Sequence, residues 1–365
     1  MAKFTDIFED VTKQGTKIPT NLYLETGKYP IIDQGQSEIA GYTDQIEGLF
    51  TDIPAIIFGD HTRIIKYVDT PCFLGADGVK LLKAKDPTAN YRYLYYALCN
   101  ADIPNTGYNR HFKWLKEIEI PEYSMEEQNS IVFQLEKIDA LISLRKQQLS
   151  KLDELVKSRF VELFGNLVIG DKISINKHKI GEIASVTKLA GFEFTKYIQY
   201  KEQGDIIMLR GLNCKKGHLV LDDIKWIDKE TSDLLPRSKL YYGDILMTYA
   251  GTIGDVAMVD ADNKYHLAPN VAKITLTDKM AYNPVFLIHL FMYTNDYIMT
   301  FASVVAQASI NMEKIRNFEY YFPSVEQQNE FAAFVEQTDK SKLAIQKSLE
   351  KLETLKKSLM QKYFG

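Results

Sequence analysis

From Ser124 to Gly165, apolar residues recur at every third or fourth position, most regularly at Ile131, Leu135, Ile138, Ile142, Leu149, Leu152, Val156 and Leu163. Charged residues fill the other faces, and neither Pro nor Gly interrupts the run. The pattern returns after Pro323 with Phe331, Val335, Ile345, Leu349, Leu352 and Leu359. Such a stripe predicts a long helix that buries one face against a partner. Ser124, with Glu127 three positions on, offers a capping box at its start. About 38 helical residues span about 57 Å. A lone helix of this kind is unstable in water, so each copy is the natural partner of the other. A pseudo-two-fold axis would make them antiparallel. Arg145, Thr338, Lys342 and Lys356 interrupt the stripe, either to fix the register or as ordinary imperfections, the second being the favoured reading.

The likeness of the two runs extends to identity. Residues 111–165 lie on 311–365 at a constant offset of 200, with Glu119/Glu319, Ser124/Ser324, Gln128/Gln328, Asn129/Asn329, Asp139/Asp339, Leu155/Leu355 and Gly165/Gly365 matching. The preceding segments repeat more loosely. "VTK" at 11–13 matches 186–188, and "ADGVKLL" (76–82) resembles "APNVAKITL" (268–276). The chain is thus a two-fold duplication, with a solenoid excluded by the long period. Its organisation reads as 1–112, a first globular half; 113–165, a spacer helix; 166–312, a second globular half; and 313–365, a second spacer helix.

The globular halves read as α/β. Short apolar runs bounded by Gly, Asp and Pro predict strands at "PAIIF" (54–58), "GVKLL" (78–82), "GDILMTY" (243–249), "DVAMV" (255–259) and "VAKITL" (271–276). Aromatic-rich helices follow at 91–100 and 284–298. The expected architecture is α+β: two α/β domains joined by two long helices packed as an antiparallel coiled coil.

Composition narrows the class. A 365-residue chain with 45% hydrophobic residues supports more than one core. It has no 18-residue apolar run and no apolar leader, and its three scattered cysteines read as reduced thiols, so a cytoplasmic protein is expected. No phosphate loop, nucleophile elbow, zinc spacing or complete dinucleotide fingerprint occurs. Catalysis is expected elsewhere.

The polar loops carry the candidate chemistry. In the first half they supply Gln34, Gln36, Tyr42, Arg63, Tyr108, Asn109 and Arg110; in the second, Lys188, Arg210, Asn213, Lys215, Lys216, Thr248, Tyr249, Thr252, Ser309 and Asn311. Gln and Asn can pair with adenine and Arg with guanine, while Tyr, Thr and Lys suit phosphates. Charge is less supportive. Residues 1–112 hold 11 basic and 14 acidic side chains, and residues 166–312 hold 16 of each. DNA affinity therefore calls for local clustering of cations together with help from a partner. The ends of the helices and the matched "EEQN" and "EQQN" turns are candidates for a partner interface.

These features resemble the DNA-specificity subunits of type I restriction-modification systems. "KYPIIDQGQSEIAGYTD", "IIMLRGLNCKKGHL" and "GDILMTYAGTIGDVAMVD" are similar to target-recognition segments of that family, and the two helical runs to its conserved regions. The resemblance implies a non-catalytic subunit whose two recognition domains each read half of a bipartite, asymmetric site. The helices would set the gap and dock two methyltransferase subunits and two restriction subunits. S-adenosylmethionine, ATP and Mg are expected on those partners, with no cofactor or metal on this chain. A coiled-coil scaffold and a self-sufficient nuclease or methyltransferase are the alternatives.

Overall fold

The structure, a computed structural model, describes residues 1–75, 78–303 and 308–365. The first two residues of "ADGVKLL" lie outside them. The chain forms two compact units: Met1–Gln147 with Gln346–Gly365, and Gln148–Ile345.

The first unit contains strands β1 (Phe8–Asp10), β2 (Tyr29–Ile32), β3 (Gly41–Thr43), β4 (Ala55–Gly59), β5 (Ile65–Val68), β6 (Phe73–Leu74) and β7 (Val79–Ala84). One sheet has the antiparallel order β1-β7-β4-β5, and a second has the order β3-β2-β6. β4 is buried at every position, as a central strand covered on both faces must be. Helix α1 (Tyr91–Cys99) follows, capped by Asn90, whose side chain accepts from Tyr93 N. The first part of α2 (Met125–Phe164) completes the unit's N-terminal portion.

The second unit repeats the plan with β8 (Ala184–Lys188), β9 (Ile206–Leu209), β10 (Lys225–Ile227), β11 (Lys239–Leu240), β12 (Ile245–Thr248), β13 (Val256–Met258), β14 (Tyr265–Leu267) and β15 (Val271–Leu276). Its sheets run β8-β15-β12-β13 and β10-β9-β14-β11. In each unit the second sheet holds one parallel pair, β2 with β6 and β9 with β14. The duplication is therefore one of topology as well as sequence. Helix α3 (Pro284–Tyr293) corresponds to α1, and α4 (Val325–Phe364) to α2. The expected helix over 284–298 stops at Tyr293, and a short turn, Asn295–Met299, succeeds it. At the break, Thr294 gives its hydroxyl to Leu290 O.

The extra length of the second half sits in loops. Between β9 and β12 there are 35 residues, 210–244, against 22 between β2 and β4, residues 33–54.

Both long helices begin as expected. Ser124 N donates to Glu127 Oε2 at 2.9 Å and Glu127 N to Ser124 Oγ at 3.3 Å; Ser324 and Gln327 repeat the exchange at 3.2 and 3.4 Å. Within each unit an end of α2 runs antiparallel to an end of α4. In the first, Gln134 accepts from Tyr363 at 3.2 Å, Asp139 meets Lys356 at 2.5 Å and Lys146 meets Glu353 at 3.6 Å. In the second, Lys342 meets Asp153 at 2.7 Å and Arg159 meets Glu330 at 3.2 Å. Lys342 and Lys356, expected to be mere imperfections, are thus ion-pair partners across the helix pair. Thr338 only returns its hydroxyl to Phe334 O.

Helix ends carry the aromatic packing. Phe164 meets Phe286 of α3 at 5.2 Å, and its repeat equivalent Phe364 meets Tyr93 of α1 at 5.3 Å. The shared "FG" ending thus anchors each helix in a globular core. Gly165 then takes a left-handed conformation, φ 63°, which stops α2 and is costly for other residues.

In the "EEQN" and "EQQN" turns only Gln128 and Gln328 turn inward, while the other residues stay exposed. Asn90 donates to Asn129 and Asn283 to Asn329, while Gln128 and Gln328 bond to Tyr123 O and Pro323 O. These bonds fasten the recognition halves to the helices.

Candidate nucleic-acid interface

In the first unit the site grows from the end of β4. Gly59 closes a tight turn by accepting from Arg63 N at 2.7 Å, and Arg63 adopts a left-handed φ of 64°. Asp60, buried, ties a distant loop to this turn: its carboxylate accepts from Phe112 N at 2.7 Å and its carbonyl from His111 N at 2.8 Å. His111 is itself fully buried. The loop 105–111 is thereby fixed beside 60–63.

His61 sits at the junction. Its backbone N–H donates to Gln34 Oε1 at 3.1 Å, its Nδ1 lies 3.2 Å from Asn109 O, and its ring stacks on Tyr108 at 4.6 Å with planes 7° apart. Thr62 donates to Gln34 O at 2.6 Å. Three candidates, Gln34, Tyr108 and Asn109, meet around His61, and Arg63 joins their turn while donating to Ile103 O at 3.0 Å. Tyr108 is 86% exposed, and Arg110 next to Asn109 is exposed too. Asn109 turns its own amide back to Thr106 O. Gln36 is exposed on the following loop, and Tyr42 lies on β3 opposite Pro30, in the other sheet. Arg63, Tyr108, Asn109 and Arg110, the candidates expected from sequence, flank His61, which is not among them.

The second unit builds the same junction with other side chains. β12 ends at Thr248, and Tyr249 O accepts from Ile310 N at 2.8 Å, a bond like that from His111 to Asp60 but one residue earlier in the repeat. Ala250 bridges to Ser309, so the loops 249–254 and 309–311 lie together. Lys188, exposed at the end of β8, places its ammonium 5.4 Å from the Tyr249 ring centre. Thr252 is exposed at the tip, and Asn311 caps the short helix Met312–Arg316 by accepting from Lys314 N at 2.8 Å.

The loop 210–217 borders this junction, with Gly211 facing Thr248. Arg210 donates to Asp223 at 2.7 Å and Lys215 to Asp255 at 2.5 Å. Lys216 is exposed with φ 47° and carries no ion pair among the described residues. Two candidates are inaccessible. Asn213 is fully buried, giving its amide to Val220 O and Asp223 O and accepting from Arg210 N. Thr248 is fully buried, its hydroxyl bonded to Thr252 O and Asp255 N. Both shape their loops, and neither presents a polar atom to a ligand.

The electrostatics follow. Arg210 and Lys215 are each matched by a carboxylate, leaving Arg63, Arg110, Lys188 and Lys216 as the candidate cations with no acidic partner among the described residues, and Arg63 donates to a carbonyl. No three His, Cys, Asp or Glu side chains cluster as metal ligands among the described residues. No helix among them is long and apolar enough to cross a membrane.

Known proteins share both sequence and fold. The family described as the type I restriction modification DNA specificity domain matches residues 1–154 and 174–357. The EcoBI specificity subunit of Escherichia coli is 25% identical over 319 residues, covering 78% of this chain and 67% of the relative. The MjaVIII specificity subunit of Methanocaldococcus jannaschii is 24% identical over 315 residues, covering 79% and 74%. The crystal structure of the type I restriction-modification system S subunit from M. genitalium aligns over 100% of this chain and 95% of its own, with a TM-score of 0.60 and 18% identity. A chain from a study of complex assembly in the type I system gives 0.57 and 16%, over 100% of this chain and 95% of its own.

Proposed function

The chain belongs to the type I restriction-modification DNA specificity family, and from that premise we propose that it is the subunit that chooses the DNA sequence. Each unit reads one half of a bipartite, asymmetric target. The observation that carries this is the recurring loop junction: in each unit the loop before the short helix bonds to the end of a central strand, His111 N to Asp60 O and, one position earlier in the repeat, Ile310 N to Tyr249 O, with unlike side chains around it. A shared frame with different contents suits two unlike half-sites.

Direct contacts fall to the accessible candidates. Gln36, Tyr108 and Arg110 serve the first half-site, and Lys188, Lys216, Thr252 and Asn311 the second, with Tyr249 and Ser309 half-buried behind them. Gln34, Arg63 and Asn109 in the first unit, and Arg210, Asn213, Lys215 and Thr248 in the second, hold the loops in shape, and Tyr42 braces the adjoining sheet. α2 and α4 pack as an antiparallel coiled coil, set the gap between half-sites and dock two methyltransferase subunits, to which restriction subunits add. S-adenosylmethionine, ATP and Mg act on those partners, and this chain performs no chemistry of its own.

With so few unmatched cations, affinity depends on the assembled complex. The test is a sequence-selection experiment on the chain reconstituted with its methyltransferase subunit. Two short specified segments separated by a fixed unspecified gap are expected. A single continuous site, or tight specific binding by the isolated chain, would overturn the reading.

A further inference from the structure

The two units gather the same elements around one spot and fill it differently. In the first, Arg92 of α1 lays its guanidinium over Tyr67 of β5, 3.6 Å from the ring centre. It reaches Asp69 at 3.5 Å and Glu136 at 3.4 Å. Tyr95 leans on Tyr67 edge-on at 6.0 Å, and Tyr96 gives its hydroxyl to Asp139 at 2.8 Å.

Strand register identifies the counterparts. Ile56 faces Tyr67 on one side and Leu82 on the other; Ile245 faces Met258 and Ile274 in the same way. Tyr67 thus corresponds to Met258, and Asp69 to Asp260. The caps Asn90 and Asn283 align Arg92 with Val285, Tyr95 with Ile288 and Tyr96 with His289. The helix repeat aligns Asp139 with Asp339. Asp69 and Asp139 persist as Asp260 and Asp339, whereas Glu336, the counterpart of Glu136, pairs with Lys340 at 2.8 Å, and the guanidinium and the tyrosine rings are gone. In their place the second unit has an open cavity of about 270 Å³, walled by Met258, Asp260, Val285, Ile288, His289 and Asp339 among others.

We propose that this cavity receives an arginine side chain of a partner polypeptide, entering where Val285 replaces Arg92 and reaching Asp260 and Asp339; the identity of that partner rests on the assembly reading above. Size favours a single side chain, because small-molecule sites usually run from about 300 to 1,000 Å³. Charge favours a guanidinium, whose planar fork suits the paired carboxylates. Lys342 does not replace it, since it sits 3.4 Å from Asp339 but only 2.7 Å from Asp153. Asp260 uses one oxygen for the Tyr265 hydroxyl at 2.8 Å. His289 adds no opposing charge at neutral pH: burial pushes its pKa down to about 4, and Nδ1 is held by Val285 O at 2.8 Å. Met258 and Ile288 give the methylene stem an apolar wall.

Methylguanidinium is the probe, titrated into the full chain carrying ¹³C-methyl methionine. The Met258 methyl signal should shift saturably with methylguanidinium and not with urea, and Asp260→Asn should remove the response. Val285→Arg, which supplies the guanidinium internally, should keep or raise Tm, abolish the probe response and weaken assembly with the methyltransferase subunit at least tenfold. Met280→Arg, at an exposed position outside the cavity, should leave assembly within twofold. Absence of a saturable shift, or unchanged assembly of Val285→Arg, overturns the proposal. If Val285→Arg melts below the wild type, Asp260→Asn carries the assembly measurement with the same expectation. If the wild-type chain itself fails to assemble, the functional reading fails instead, and the titration alone decides the cavity.

Discussion

Asn283 donates its side-chain amide to Asn329 Oδ1 at 2.8 Å, and its own Oδ1 accepts from Val285 N at 2.9 Å. One residue therefore caps a helix of the recognition half and fastens it to the long helix, as Asn90 does with Tyr93 N and Asn129. Caps contribute about 1 kcal/mol and a net hydrogen bond about as much. Asn283→Ala should cost about 1–3 kcal/mol, and Asn329→Ala about 1 kcal/mol, read from urea denaturation. Equal losses would show that the cap contributes nothing.

Acid should weaken the second unit from within. Burial pushes His289 down to about 4 and lowers His266 as well, whereas an unfolded histidine titrates near 6.5. Below that value the unfolded chain binds more protons than the folded one. The stability of the neutral imidazoles is then complete above about pH 6.5 and is lost as pH falls toward 4. Tm should be flat from pH 7 to 8 and fall between 6.5 and 4.5, with a shallower fall in His289→Gln. A parallel curve for that variant would refute the assignment.

Each unit should govern its own half of the target. Arg110→Ala should cost about 1–3 kcal/mol and relax one position of one half-site. Lys216→Ala should weaken binding across sequences and reduce the salt slope by about 1. Sequence selection with the assembled methyltransferase checks both, and relaxation of both half-sites by Arg110→Ala would contradict the division of labour.

Inserting seven helical residues after Gln147 and seven after Ile345 should lengthen α2 and α4 together by about 10 Å. At 3.4 Å per base pair, the tolerated gap should grow by about three pairs with the half-sites unchanged. Insertion into one helix alone should instead misalign the ion pairs, visible as a lower Tm.

The parts that local pattern could reveal were legible. β4, β7, β12, β13 and β15 are short apolar runs, and both long helices follow from spacing and caps. β5 was hidden because its sequence, IKYV, buries Lys66, whose ammonium is taken by Ser37 O at 2.6 Å and Asp33 at 3.5 Å. His61 could not be singled out, since its role depends on Tyr108, 47 positions away. Asn213 and Thr248 looked available because side chains like theirs often are; the loops they sit in consume every polar group they carry. Lys342 and Lys356 looked like flaws in a stripe because their partners lie on the other helix.

Those two lysines have a consequence for molecules that meet while still assembling. Across the repeat, Lys356 and Lys342 stand where α2 has Val156 and Ile142. Were α2 of one molecule to pair with α2 of another in the same register, Asp139 would face Val156, and Asp153 would face Ile142, each carboxylate without its cation. Helices of near-identical ancestry are thereby made to prefer their unlike partner, as polar pairs in a seam can dictate. The cost of pairing α2 with a second α2 is written into four side chains, Asp139, Asp153, Lys342 and Lys356.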